Sequence, residues 1–266
     1  MSIGIAIAVP DGIALAADTQ TTWQQTITKA KEKSTGKEFE LEQPIVKPVG
    51  WSRIARKLFH LDINGVRYTI ATAGESQLNL KTMFAVFTSG AKQYEGESTI
   101  TSVSQYFIDY LKNELASQHS CSIDELRQKP INVCEYILAG YEDQDVAKPV
   151  LESHIVFSGT VTIDGKKNDS GHFMKWTNVT QGSRYGSCWI GRTDFITHIV
   201  KHNNPQLPQI SGQYHLMTLA DAVDYTRFLV EFTCDFQRFA VMVPDCGRPI
   251  ISATLTPEGY NEQVVE

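Results

Sequence analysis

Ser2-Ile-Gly-Ile-Ala-Ile-Ala-Val9, Pro10-Asp-Gly12 and Ile13-Ala-Leu-Ala-Ala-Asp18 form the opening stretch on which the rest of the chain hangs. Two short runs, Ile3–Val9 and Ile13–Asp18, are rich in β-branched residues and alanine and flank a Pro-Asp-Gly turn. The spacing predicts an antiparallel strand pair. The stretch lacks a basic leading region, a long apolar core and a small-residue cleavage site, so it does not read as a signal peptide. Further along, Lys57-Leu-Phe-His-Leu-Asp-Ile63, Asn64-Gly65 and Val66–Ala73 predict a second hairpin closed by an Asn-Gly turn. Between the hairpins, Thr19–Arg56 carries Lys29, Lys31, Lys33 and Lys37 with little apolar periodicity, and is expected to be a long loop or an inserted arm.

Helical spacing follows. Leu78, Leu80, Met83, Phe84, Val86 and Phe87 form one apolar stripe. Val103, Tyr106, Phe107, Tyr110, Leu111 and Leu115 form another, with Ser102 placed to cap it. Strand-like runs return at Val133–Tyr141 and Val150–Val156, joined by the acidic turn 142–145. Gly159–Gly186 is rich in Gly, Asn and Ser, with a weak strand signal near Phe173–Trp176. Helices are expected near Arg192–His202 and Leu219–Phe236, and a closing strand at Ile250–Thr256. Strands segregated from helices in this way predict an α+β fold of antiparallel sheets with helices outside. The 266 residues are expected to form one domain enlarged by inserts at about 19–56 and 159–186.

Composition narrows the function classes. With 42% hydrophobic and 10% aromatic residues the chain can bury a core, so global disorder is excluded. No apolar run reaches the ~18 residues of a spanning helix, so no membrane is expected. A net charge of −6 argues against nucleic acid. The lysine-rich arm is balanced by Glu32, Glu38, Glu40 and Glu42. Trp51, Trp176 and Trp189 read as packing residues rather than a base-stacking platform. Five scattered cysteines without a Cys-x-x-Cys pair suit reduced thiols and a cytoplasmic protein. Walker, dinucleotide-binding and His-Glu-x-x-His motifs are absent, and Gly74-Glu-Ser-Gln-Leu departs from a nucleophile elbow. His198 and His202, four apart, lack a neighbouring third ligand, so they read as a solvated helix end and no metal is expected.

One constellation stands out. If Met1 is removed, Ser2 becomes the terminus and carries a nucleophile and a base on one residue. Its α-amine, with a reference pKa of about 7.7–8, is partly free at neutral pH and can take the hydroxyl proton. A cation is needed to keep that hydroxyl acidic, and a carboxylate to hold the cation. Lys57 opens the second hairpin and Asp18 ends the first. Gly74, between a strand and an expected helix start, offers a backbone N–H for an oxyanion.

With these residues the chain resembles the proteasome β-type subunits and their bacterial relatives, the HslV-type peptidases and the Anbu group, all N-terminal-nucleophile hydrolases. The resemblance rests on Asp11-Gly-Ile-Ala-Leu-Ala-Ala-Asp18-Thr, Lys57-Leu-Phe, Ala71-Thr-Ala-Gly74 and Ala139-Gly-Tyr-Glu-Asp followed by Pro149-Val-Leu. Gly186-Ser187 and Thr254-Leu-Thr-Pro-Glu-Gly259 extend it over most of the chain outside the two inserts. It implies a four-layer αββα sandwich. It also implies Ser2 as the nucleophile, Asp18 and Lys57 as the pair that tunes it, Gly74 as the oxyanion glycine and Ser187 as a support for the terminal amine. The family's second aspartate follows the last long helix, where both Asp235 and Asp245 are candidates. The implied activity is peptide or amide hydrolysis without a cofactor, on a peptide or unfolded protein. Implied partners are a homo-oligomeric ring and an ATP-dependent unfoldase. The alternatives are a non-catalytic scaffold or assembly subunit that kept the fold, and a transpeptidase that passes the acyl group to an amine.

Overall fold

The computed structural model describes residues 2–53, 55–142, 145, 148–163, 165–177, 184–200, 213–240 and 244–265. Two five-stranded antiparallel sheets dominate. The first is built on β1 (Ile3–Val9) and β2 (Gly12–Asp18), the pair expected from the opening stretch. A ribbon of β3 (Thr21–Lys31) and β4 (Glu38–Ser52) follows, then β5 (Leu58–Ile63) and β6 (Val66–Gly74). The turn between β5 and β6 has Asn64 at φ 51° and Gly65 at φ 80°, the left-handed pair that an Asn-Gly hairpin requires.

Two-residue strands β7 (Gln77–Leu78) and β8 (Lys81–Thr82) precede helices α1 (Met83–Gln93) and α2 (Ile100–Gln118). After these come β9 (Val133–Tyr141), β10 (Pro149–Ile163), β11 (Lys166–Thr177), β12 (Gly186–Gly191) and α3 (Asp194–Val200). The chain closes with α4 (Leu219–Phe239), β13 (Ile250–Thr256) and β14 (Gly259–Val265). The first sheet runs β12-β1-β2-β13-β14 and the second β11-β10-β9-β6-β5.

Three apolar clusters hold these elements. Leu15, Ala17 and Ala6 of the first sheet pack with Ala71, Ile137 and Ala139 of the second. The isoleucines of β1, on the opposite side from Ala6 and Ala8, pack with Leu229 and Val230 of α4. The second sheet buries Tyr68, Ile70 and Tyr136 against Phe87 of α1 and Phe107 of α2. β1 and β2 are therefore buried on both sides, which explains why they read as continuous apolar runs. No described helix is long and apolar enough to cross a membrane.

Several expectations need correction. Residues 19–56 are not a loop: β3 and β4 pair through most of the segment. The described side chains of the ribbon are exposed or half-buried on both faces, so they lack the alternation that a half-buried strand would show. Gly159–Gly186 likewise contains the β10–β11 hairpin, whose outer rows are polar. Leu78 lies in a short strand, and α1 starts only at Met83, capped by Thr82. The cap of α2 is Thr99, which accepts the Ser102 N–H at 3.2 Å. The last strand, β14, went unread because none of its residues is buried, so it shows no apolar alternation. His202 and part of the turn at 142–145 lie outside the described residues.

Candidate active site

Asp18 ends β2 beside the start of β1 and is fully buried. Its Oδ1 accepts the Ile3 N–H at 2.9 Å, and its Oδ2 accepts those of Gln20 at 3.0 Å and Gly247 at 3.2 Å. Lys57 Nζ lies 3.0 Å from both carboxylate oxygens and also donates to the Gln20 carbonyl. Burial pushes the Asp18 carboxyl above its ordinary value, and Lys57 and the N–H donors pull it back. The pair joins the two sheets, because Asp18 belongs to the first and Lys57 leads into β5 of the second.

Ser2, buried at the head of β1, shares a cavity of about 330 Å³ with Lys57, Thr72, Gly74, Trp23 and Phe84. An adjoining hollow beside Thr22, Ile131 and Val133 also reaches Ser2 and Gly74. Gly74 does not sit at a helix N-terminus, since β7 and β8 intervene before α1. Its N–H is directed by sheet register instead. Thr72 donates to the Lys57 carbonyl at 2.8 Å, on the β5 side, while Glu75 donates to Val133 at 2.8 Å, on the β9 side. Alternation along the ladder aims the Gly74 N–H to the side of Thr72's, just where β5 has ended. Gly74 has φ +82°, and a β-carbon there would overlap the Val133 carbonyl, so the position requires glycine.

A second group holds Ser2 from the other edge. The Ser2 carbonyl accepts the Arg192 N–H at 2.7 Å. Gly191, at φ +79°, lets that carbonyl approach a point a side chain would fill, and its N–H donates to Glu135 at 3.0 Å. The Arg192 guanidinium meets Asp245 at 2.6 Å, and Gln237 of α4 donates to the other Asp245 oxygen at 2.8 Å. Burial works to raise the Asp245 carboxyl, but the Arg192 and Gln237 bonds prevail and hold it below the ordinary carboxylate range.

The structure thus separates the two aspartate candidates. Asp245 is buried beside the Ser2 anchor, whereas Asp235 is half exposed and pairs with Arg248 at 3.5 Å. It also moves Ser187 out of the group. Ser187 pairs with Ile7 in the β1–β12 register while Gly191 pairs with Ile3. Four strand residues, roughly 13 Å, therefore separate Ser187 from the anchor of Ser2. Its hydroxyl bonds Tyr214 at 2.5 Å instead. Arg192, Gly191 and Gln237 were missed by sequence reasoning. The only available signal was a glycine immediately after a strand, in Ile190-Gly191-Arg192.

Two antiparallel sheets face one another here, with the Lys57–Asp18 pair beside Ser2 at their shared edge. Among solved structures, the Anbu Gly-1 mutant from Hyphomicrobium sp. strain MC1 matches with a TM-score of 0.53 at 10% identity, covering 100% of this chain and 87% of that one. Anbu, described as an ancestral beta-subunit, from Yersinia bercovieri matches with a TM-score of 0.46 at 12% identity, covering 98% and 86%. The chain shares its fold with the Hyphomicrobium Anbu protein. No protein-family model and no curated protein sequence matches the chain.

Proposed function

We propose that this protein is an N-terminal-nucleophile amidohydrolase acting on peptides. One observation carries the proposal: Lys57, fixed by both oxygens of buried Asp18, shares a cavity with Ser2 and Gly74. Met1 lies outside the described residues, and the mechanism begins with its removal. The freed Ser2 amine takes the proton of its own hydroxyl, and Oγ attacks the substrate carbonyl. The Lys57 charge favours the alkoxide, and the Gly74 N–H receives the developing oxyanion. The amine then passes the proton to the departing nitrogen, leaving an ester on Ser2 that water hydrolyses with the amine again as base. Asp18 acts by positioning Lys57, and Arg192 and Gly191 fix the backbone of Ser2.

The same proposal takes the chain as one domain, a four-layer αββα sandwich, that self-associates and works on peptide or unfolded protein in the cytoplasm. An ATP-dependent unfoldase is the partner expected for folded substrates. The test begins with the intact mass of the native protein, where a retained Met1 overturns the mechanism. Cleavage of fluorogenic peptides is then compared for wild type and Ser2→Ala. Loss of the nucleophile lowers kcat by at least about 10³-fold. Equal rates in the two proteins would refute the assignment of Ser2.

A further inference from the structure

The β3–β4 ribbon carries an apolar face that begins inside the cavity and leaves it. Residues opposite one another in an antiparallel pair share a face, and alternate rows share it along the strand. Thr21, Trp23, Gln25 and Ile27 of β3 therefore stand on one side, opposite Ser52 and Gly50 and, beyond a bulge at Val49 in β4, opposite Lys47 and Ile45. Thr21, Ser52 and Trp23 line the main cavity with Ser2, while Thr22 of the opposite face reaches the adjoining hollow, so this side is the one turned to the main cavity. Trp23 is 50% exposed and Ile45 55%, with Ile27 half-buried. Trp51 belongs to the row Thr22–Trp51, on the opposite face. Large apolar groups are thus presented to water in a line that continues the wall of the cavity.

We propose that this face is a docking platform for the extended part of a peptide substrate, selecting apolar side chains well away from the bond cleaved. The inference rests on the hydrolase reading of the cavity and names the substrate class for it. From the Thr21 row to the Ile27 row the platform is about 20 Å long at ~3.3 Å per residue, the length of about six extended residues. A peptide whose carbonyl lies at Ser2 passes Trp23 first and reaches Ile27 and Ile45 near its far end. The intervening Gln25–Lys47 row leaves polar groups for backbone contacts. The occupant is therefore an extended polypeptide with apolar residues at both ends of a six-residue span.

Binding, rather than turnover, tests the platform separately from the chemistry. The Ser2→Ala protein is titrated with a fluorescein-labelled, capped hexapeptide carrying leucines at both ends, and anisotropy is read. A hexapeptide of serine and glutamate, and a leucine dipeptide, serve as comparisons. The apolar hexapeptide binds at least about tenfold more tightly than either, and Ile27→Ser with Ile45→Ser weakens it about tenfold. Trp51→Ser, a loss of exposed apolar surface on the opposite face, leaves binding unchanged, and unaltered thermal melts show that the variants fold. Equal binding of the polar and apolar hexapeptides overturns the platform, as does an equal loss in Trp51→Ser. A wild-type protein that binds the apolar hexapeptide with this pattern, yet cleaves no peptide, upholds the platform and sinks the hydrolase reading.

Discussion

Asp18 has no solvent contact, and its charge is tolerated only because Lys57 and three backbone N–H groups face it. Removing the cation alone leaves a buried carboxylate without a counter-charge. Lys57→Met is therefore expected to cost about 3–5 kcal/mol in urea unfolding, and Lys57→Met with Asp18→Asn to recover part of it. Both variants lose peptidase activity on the proposed mechanism, so recovery of stability without recovery of activity separates structure from catalysis. A stability unchanged by Lys57→Met would mean that the pair contributes nothing to the fold. Asp18, Lys57 and Gly74 were legible because strand ends and turn residues mark their positions in the sequence. Arg192 was not, and Asp245 stayed one of two candidates, since their partnership joins residues 53 apart that no local pattern relates. Ser187 lies at the start of β12, four residues from the strand end that holds Ser2, a separation set by the β1–β12 register and not by local sequence.

At the scale of elements, the end of β6 is the most demanding piece. Gly74→Ala forces a left-handed backbone on alanine and drives its β-carbon into the Val133 carbonyl. Either β6 and β9 part, or the peptide rotates and turns the N–H from the cavity. The expected result is a loss of at least about 1 kcal/mol in stability together with a fall in kcat rather than a rise in KM. A rise in KM alone would speak against an oxyanion role. Helix α4 offers a milder case, in which Thr218 accepts the Asp221 N–H at 3.1 Å and Asp221 bonds back to Thr218. Thr218→Ala should cost ~1 kcal/mol by thermal unfolding while leaving β1 and the site intact. Helix α2, with one buried side, showed in the sequence by its period, and β9, buried on both sides, by its continuous apolar run. The ribbon and the outer rows of β10 and β11 did not, because solvent on both sides removes the pressure for alternation.

For the whole molecule, a polar cluster lies on the outer side of the second sheet, under α2. Ser104 Oγ lies 2.6 Å from His154 Nε2, Glu152 lies 3.1 Å from the same nitrogen, and His172 stands 2.9 Å from His154 Nδ1. Burial lowers the His172 pKa to about 4, and neighbouring His154 and Lys112 act in the same direction against Asp109 and Glu152. The folded value lies below the unfolded one, so the unfolded chain binds more protons between about pH 6.5 and 4. Stability from this group is complete above pH 6.5 and declines as pH falls towards 4, by about 2 kcal/mol after allowance for solvent screening. Urea midpoints measured across that range check it, and His172→Gln should flatten the slope. On the proposed assembly, light scattering gives a mass several times that of the single chain; a monomer mass would count against a ring.

By itself the sequence determined the two hairpins and the major helices and singled out Asp18, Lys57 and Gly74, because strand period, turn chemistry and burial pattern are local properties. Only the tertiary structure set Asp245 rather than Asp235 beside the Ser2 anchor, placed Ser187 at the far end of β12 and brought Arg192 to the Ser2 carbonyl. It also turned the polar arm into a ribbon whose face opens onto the cavity. These follow from register between strands distant in the chain, and a shift of a few residues along a strand moves a side chain by more than the reach of a hydrogen bond.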